Sequence, residues 1–370
     1  MKKPFYLIIT AFIFILTACS AQREISELNE GSENKSLPIK KEEPKEYFSP
    51  LNGTKTQEDI STEPVFAIMF DNHPKATPQS GLASADLIYE YKVEGEYTRF
   101  LGLFQKNKPE VIGPVRSARP YFVNTAAEYK AIYVHWGGSE AGYAQISSDD
   151  VKDIDAIIYE GSTFYRNKEV NKKRPHDGYT SYNLLYERAK DLEYINSESL
   201  KPKFVFDQSE NLEKLMAQLK EKDATSLNLS FFPNYKTSFE YNQDKKSYLA
   251  LRNDENIIDE DTGEDIYAEN IIVVFADSKV TGPNGTLTIY NIGQGEGMFI
   301  SKGKLMDIKW SKESETSDMV FTTMSGEKLI LAPGLTFIET IDSKDLVSVL
   351  PEDSEASLEA EEENVSSNNK

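Results

Sequence analysis

Three histidines, His73, His135 and His176, are all that this 370-residue chain contains, and each stands in a loop-forming context. "FDNHPKATPQSGL" follows an apolar run, with Pro74 and Pro78 restricting its backbone. "VHWGGSEAG" ends a second apolar run, and "KKRPHDGYTSY" precedes a helical pattern. Imidazole changes charge near neutral pH, so these residues could move a proton or bind an anion. Arg99, Arg116, Arg119, Arg166 and Arg174 crowd the same part of the chain. A guanidinium offers a planar fork that matches carboxylate or phosphate. The plain alternative pairs each arginine with one of the many carboxylates in a structural ion pair. The candidate ligand-binding set is His73, Arg99, Arg116, Arg119, His135 and His176, with Ser139 beside it. In "IGPVRSARPY", Arg116 and Arg119 lie three apart near an expected helix start. That spacing predicts two guanidinium groups on one side, close to amides that favour an anion.

Ser139 invites a sharper reading. A nucleophile elbow requires G-x-S-x-G, and "GGSEA" has Ala141 where the last glycine belongs. A triad would then recruit His176 and an acid such as Asp149, Asp150 or Asp155, but no spacing singles one out. The simpler expectation is a sharp turn at Gly137-Gly138, with Ser139 capping a helix across "EAGYAQI". No catalytic residue is assigned. Asp71, His73, His135, His176 and Asp177 carry metal-ligand chemistry, yet no paired-histidine motif unites them, and no metal or cofactor is expected. "DEDTGED" at 259–265 misses the spacing of a calcium loop, since Gly263 is fifth and Asn270 twelfth, and reads as a charged hairpin turn.

These residues need positioning elements. Runs at 65–70, 86–95 and 98–105 read as strands, and 131–134 as another. The stretch "SARPYFVNTAAEYK" carries a helical pattern, as do 181–192, with Thr180 or Ser181 as cap, and 211–222. Beyond that the period becomes two, and nine short strands follow between turns such as Pro283-Asn284-Gly285 and Ser325-Gly326. The expected fold class is α+β. A mixed α/β domain over 63–205 is followed by a β-rich, sandwich- or barrel-like domain over 206–345. No internal repeat is visible.

The ends say where the chain works. Lys2 and Lys3 precede an apolar run of 14 residues, Phe5 to Ala18, too short to span a bilayer, which takes about 20. This is a signal peptide over 1–18. "LTAC" resembles the bacterial lipobox, which implies cleavage before Cys19 and a lipid on its thiol. Cys19 is the sole cysteine, so no disulfide can form within the chain. Polar, charged residues 19–62 read as a disordered tether, and 346–370 as an acidic disordered tail. A net charge of −20 excludes nucleic acid as a partner, because phosphate backbones demand a basic surface. The expected location is the extracytoplasmic face of the cell membrane, held by the lipid at Cys19.

Taken together, "PVFAIMFDNHPKATPQSGLASADLIYEYKVEGEYTRFLGLF", "IGPVRSAR", "VHWGGS" and "RPHDGYTSY" resemble the YerB-like lipoproteins of Gram-positive bacteria. So do "DEDTGEDIYAENIIVVF", "GQGEGMFISKGKLMDIKW" and "LAPGLTFIETI" in the second half. The likeness runs from about residue 60 to 345; Asp177 departs from the asparagine common in relatives. It implies two consecutive domains of unknown function behind a lipoprotein signal, and no transferable enzyme activity. The leading expectation is a non-enzymatic, surface-tethered binding or scaffolding protein. Its Arg/His site would take an anionic group such as a cell-wall fragment or an envelope protein's carboxylate. The alternative is a hydrolase or transferase acting on an envelope polymer through histidine or metal chemistry. Oligomeric state is not legible.

Overall fold

Alternation and apolar runs become strands in the computed structural model, which describes residues 45–350 apart from 197, 220 and 221. The signal peptide, Cys19, the tether up to residue 44 and the tail after residue 350 lie outside the described residues. An eleven-stranded mixed sheet forms the centre. Its path runs Lys222–Asp223, Lys304–Lys312, Gly293–Ser301, Asn270–Phe275, Thr336–Ile341, Leu87–Val93, Tyr97–Phe104, Phe66–Asp71, Ile132–His135 and Asp153–Asp155. Val320–Thr323 pairs on Lys304–Lys312. The sheet is shared by residues on both sides of position 205: Thr336–Ile341 runs parallel to Leu87–Val93, with Glu339 opposite Glu90.

Every residue of Phe66–Asp71 and Leu87–Val93 is buried, because both faces of the sheet are covered. On one face the helix Pro120–Glu128 packs Tyr121, Phe122 and Ala126 against Tyr89, Tyr91, Leu101 and Leu103. On the other lies an antiparallel sheet of Ser226–Phe232, Tyr235–Asn242, Ser247–Arg252 and Val347–Leu350. It brings Leu227, Leu229, Phe239 and Tyr248 against Ile88, Phe100 and Phe337. Phe337 meets the rings of Phe239 at 5.2 Å and Phe100 at 6.2 Å. The helix Tyr182–Asp191 adds Tyr182, Leu185 and Ala189 beside Phe66 and Ile154. The fold is thus α+β with a β-rich C-terminal half.

Two expected boundaries move. Order begins well before residue 63: Tyr47–Phe48 pairs with Lys55–Thr56, Leu51 is buried, and Asn52 donates to the buried Asp86 at 2.6 Å. At the other end Val347–Leu350, expected in the disordered tail, is a strand on Ser226–Phe232. The first segment is largely polar and is ordered by specific partners, whereas Val347–Leu350 is itself apolar and the acidic run begins only after it. Among the described residues no helix is long and apolar enough to cross a membrane.

Candidate functional site

Phe66–Asp71 and Ile132–His135 run parallel as neighbours, so their C-terminal ends open at the same edge. Ligands in open α/β sheets gather at such ends. Extended residues 113–118 thread between them: Asp71 N donates to Pro114 O, Arg116 N to Met69 O, and Trp136 N to Arg116 O. This lacing sets Arg116 against Asp71. The expected helical relation between Arg116 and Arg119 does not arise, because the helix starts only at Pro120 with Arg119 as its cap. Arg116 turns to Asp71, whereas Arg119 Nε holds both oxygens of Glu94 at 2.7 and 2.9 Å.

Asp71 is the centre. Its Oδ2 lies 2.7 Å from His176 Nδ1 and 3.1 Å from Arg116 Nε, and its Oδ1 accepts from His73 N at 3.2 Å. Across the strand pair it faces Arg99, whose Nη1 donates to Ser117 O at 2.8 Å. The His73 and His176 rings stack with centroids 4.8 Å apart, and His73 also meets Tyr97 at 4.4 Å. A carboxylate can only accept, so His176 carries its proton on Nδ1 and turns Nε2 outward. His73 Nδ1 accepts from Lys75 N at 3.0 Å, so its Nε2 is likewise the open nitrogen. No described residue hydrogen-bonds either Nε2.

Positive charge prevails here. Burial, then the like charges of Arg119 and Arg116, press the Arg99 guanidinium down to about 10, against the pull of Asp71. His73 is held below its usual range by burial first, then by His176, Lys75 and Arg116, again with Asp71 opposing. Burial would raise Glu94, yet its bond and charge pairing with Arg119 hold it below the ordinary carboxylate range. Asp71 therefore answers Arg99, Arg116 and His176 with one carboxylate.

The other candidates have structural places. His135 is fully buried, with Nδ1 2.8 Å from Gly137 O and Nε2 3.1 Å from Asp153 Oδ2. Both nitrogens face acceptors inside the protein, and the ring stacks on Tyr133 rather than joining His73 and His176. Ser139 caps the helix Glu140–Ser148, its Oγ accepting from Gly142 N at 3.0 Å. Arg166 bonds Glu160 and Asp177 and lies 3.8 Å over Trp136, so it braces the loop that carries His176. The turn at 259–265 ties to the first half: Asp259 Oδ2 accepts from Ala83 N, and Glu260 from Lys172, Tyr179 and Ser80. Among the described residues no group of three or more His, Cys, Asp and Glu side chains is placed to hold a metal ion. In the sequence Asp71 is marked only as one of five possible metal ligands; its place as the carboxylate between Arg116 and His176 comes from the fold.

The sequence profile described as the DUF3048 N-terminal domain, of unknown function, matches residues 51–195, and its C-terminal counterpart matches 227–338. The chain belongs to the DUF3048 family. A Bacillus subtilis (strain 168) member named "Putative lipoprotein YerB" is 29% identical over 352 residues, covering 94% of this chain and 98% of its own length. The crystal structure of YerB from Bacillus subtilis matches with a TM-score of 0.73 at 28% identity, over 82% of this chain and 99% of that one. The YerB-like resemblance seen in the sequence is therefore shown, and so is the α+β class.

Proposed function

We propose that this DUF3048 protein is a lipoprotein of the cell envelope, anchored through Cys19 on the extracytoplasmic face, that binds an anionic group without turning it over. The binding group would be the open side of the Asp71 cluster: His73, His176 and Arg116, with Arg99 behind them. One observation carries this reading. Arg116 and His176 converge on a single carboxylate, Asp71, with Arg99 opposite it in the strand pair, inside a chain whose net charge is −20. A local cation excess on an acidic body is the electrostatic shape of an anion site. The anchor rests on "LTAC" at residues 16–19 and on the name of the relative. The natural ligand would be an anionic cell-wall fragment or the carboxylate of an envelope protein.

Calorimetry on the chain starting after Cys19, with inorganic phosphate and acetate as probes, tests this. At least one probe should bind saturably, and Arg116→Gln should weaken it about tenfold, roughly the worth of one charge-assisted contact. Absence of binding, or equal binding by the variant, overturns the proposal.

A second reading has one observation in its favour. Asp71 holds His176 by Nδ1 and leaves Nε2 open, the arrangement by which a carboxylate orients a general base. His176→Gln would then abolish turnover of an envelope-polymer fragment while leaving its binding in place.

A further inference from the structure

We propose a second ligand site, independent of the anion site, that takes the ring of an N-acetylated hexosamine. It lies in a cleft of about 350 Å³ between the loop 72–79 of the first half and the turn 252–258 of the second. That volume falls within the range of small-ligand sites.

Gln79 and Arg252 both line this cleft, and each carries a buried polar atom with no partner in the protein: Gln79 Oε1 and Arg252 Nε. Their other groups are engaged. Gln79 Nε2 donates to Asp71 O and Asn72 Oδ1. Arg252 donates from Nη1 to Thr237 and from Nη2 to Glu90. Native proteins rarely leave buried polar atoms unsatisfied, and where they do the site is often functional. The two atoms are of opposite kind, one acceptor and one donor. A secondary amide carries both complements, an N–H for Gln79 and a C=O for Arg252. Arg252 already faces Glu90, so the cleft does not call for an anion.

The rim favours a sugar over a peptide as the bearer of that amide. Asn253 and Asn256 are exposed there. Asn253 Oδ1 accepts from Lys236 N, which leaves its Nδ2 to donate; Asn256 Nδ2 donates to Asp265, which leaves its Oδ1 to accept. Hydroxyl groups, each both donor and acceptor, answer such a pair. Pro74, Pro78 and Ile258 supply apolar wall for the C–H face of a pyranose. Both unpartnered atoms are closed to water and Gln79 is wholly buried, so binding entails an opening of the cleft in which Arg252 shifts from Tyr235, whose ring it covers at 4.3 Å, and the loop 72–79 parts from the turn 252–258.

Saturation-transfer NMR and calorimetry with N-acetylglucosamine test the proposal, with glucosamine and N-acetylalanine methylamide as the comparison arms. N-acetylglucosamine should bind saturably, with glucosamine at least about tenfold weaker and the peptide amide weaker too. Asn256→Trp, which fills the exposed rim, should reduce affinity at least about tenfold. Gln79→Met should do the same in a chain whose circular dichroism shows it folded. Arg116→Gln should leave sugar binding unchanged, which separates this site from the anion site. The proposal is overturned by no saturable binding at about 20 mM, by affinity unchanged in Asn256→Trp, by equal binding of glucosamine, or by tighter binding of the peptide amide.

Discussion

Glu339→Gln is expected to stabilise this protein increasingly as pH rises. Glu339 is fully buried opposite Glu90, and neither of its oxygens receives a hydrogen bond. Glu90 is already supplied with donors by Arg252, Thr237, Thr98 and Asn72. As a carboxylate Glu339 would have nothing to accept; as an acid it has Glu90 to donate to. Burial, then the charge of Glu90 and a hydrogen bond to it, accordingly hold Glu339 well above the ordinary glutamate value of 4.5. A carboxyl raised in the folded state contributes full stability below 4.5 and loses it as pH rises toward its folded value. The loss is about 1.4 kcal/mol per pH unit while the folded chain keeps a proton that the unfolded chain has released. Glutamine reproduces the protonated acid's donor and shape without the proton. The variant should lie near the parent at pH 5 and exceed it by a margin that widens as pH rises, by up to about 1.4 kcal/mol for each pH unit. Urea denaturation of both chains at pH 5, 6, 7 and 8 measures this. A difference that stays flat with pH would refute the protonated assignment.

Three further substitutions separate structural from ligand roles. Ser139→Ala removes a helix cap and should cost about 1 kcal/mol in urea denaturation while leaving phosphate or acetate affinity unchanged. His135→Gln should cost about 1–3 kcal/mol, because Gly137 O or Asp153 loses its partner, again with anion affinity within about twofold. Asp71→Asn leaves Arg116 and His176 without the carboxylate they share; stability should fall by about 3 kcal/mol, and added acetate should restore part of the melting temperature.

Local order was the most legible feature of this sequence. Period-two runs such as "SLNLSFF" and "SYLALR" are strands at Ser226–Phe232 and Ser247–Arg252. Ser139 and Ser181 cap the helices they precede, because a short side-chain oxygen before an apolar pattern has few other uses. Long-range partnership was not legible. Nothing local marks Thr336–Ile341 as the parallel neighbour of Leu87–Val93, since pairing is decided by the whole layer. Glu90 and Glu339 look like the solvent positions of alternating strands, and only the second sheet's cover makes them buried. Leu51 and Asn52 are not legible from composition, which counts residue types, whereas Asn52 is held by one distant partner, Asp86. At the site, His73, His176 and Arg116 stand out by rarity and context, whereas Asp71 is marked only as a possible metal ligand and not as the carboxylate that Arg116 and His176 share. An acid at a strand end has no special spacing until the chain brings His176 back to it from 105 positions away.

The central claim is that His73, His176 and Arg116 share one anion-binding face organised by Asp71. The most direct measurement follows the imidazole signals of all three histidines by NMR while inorganic phosphate is added to the chain starting after Cys19. The account predicts that the His73 and His176 rings shift together and saturate at one phosphate concentration, while the buried His135 ring stays still. Unsaturable drift of all three, or no movement of His73 and His176, would contradict it.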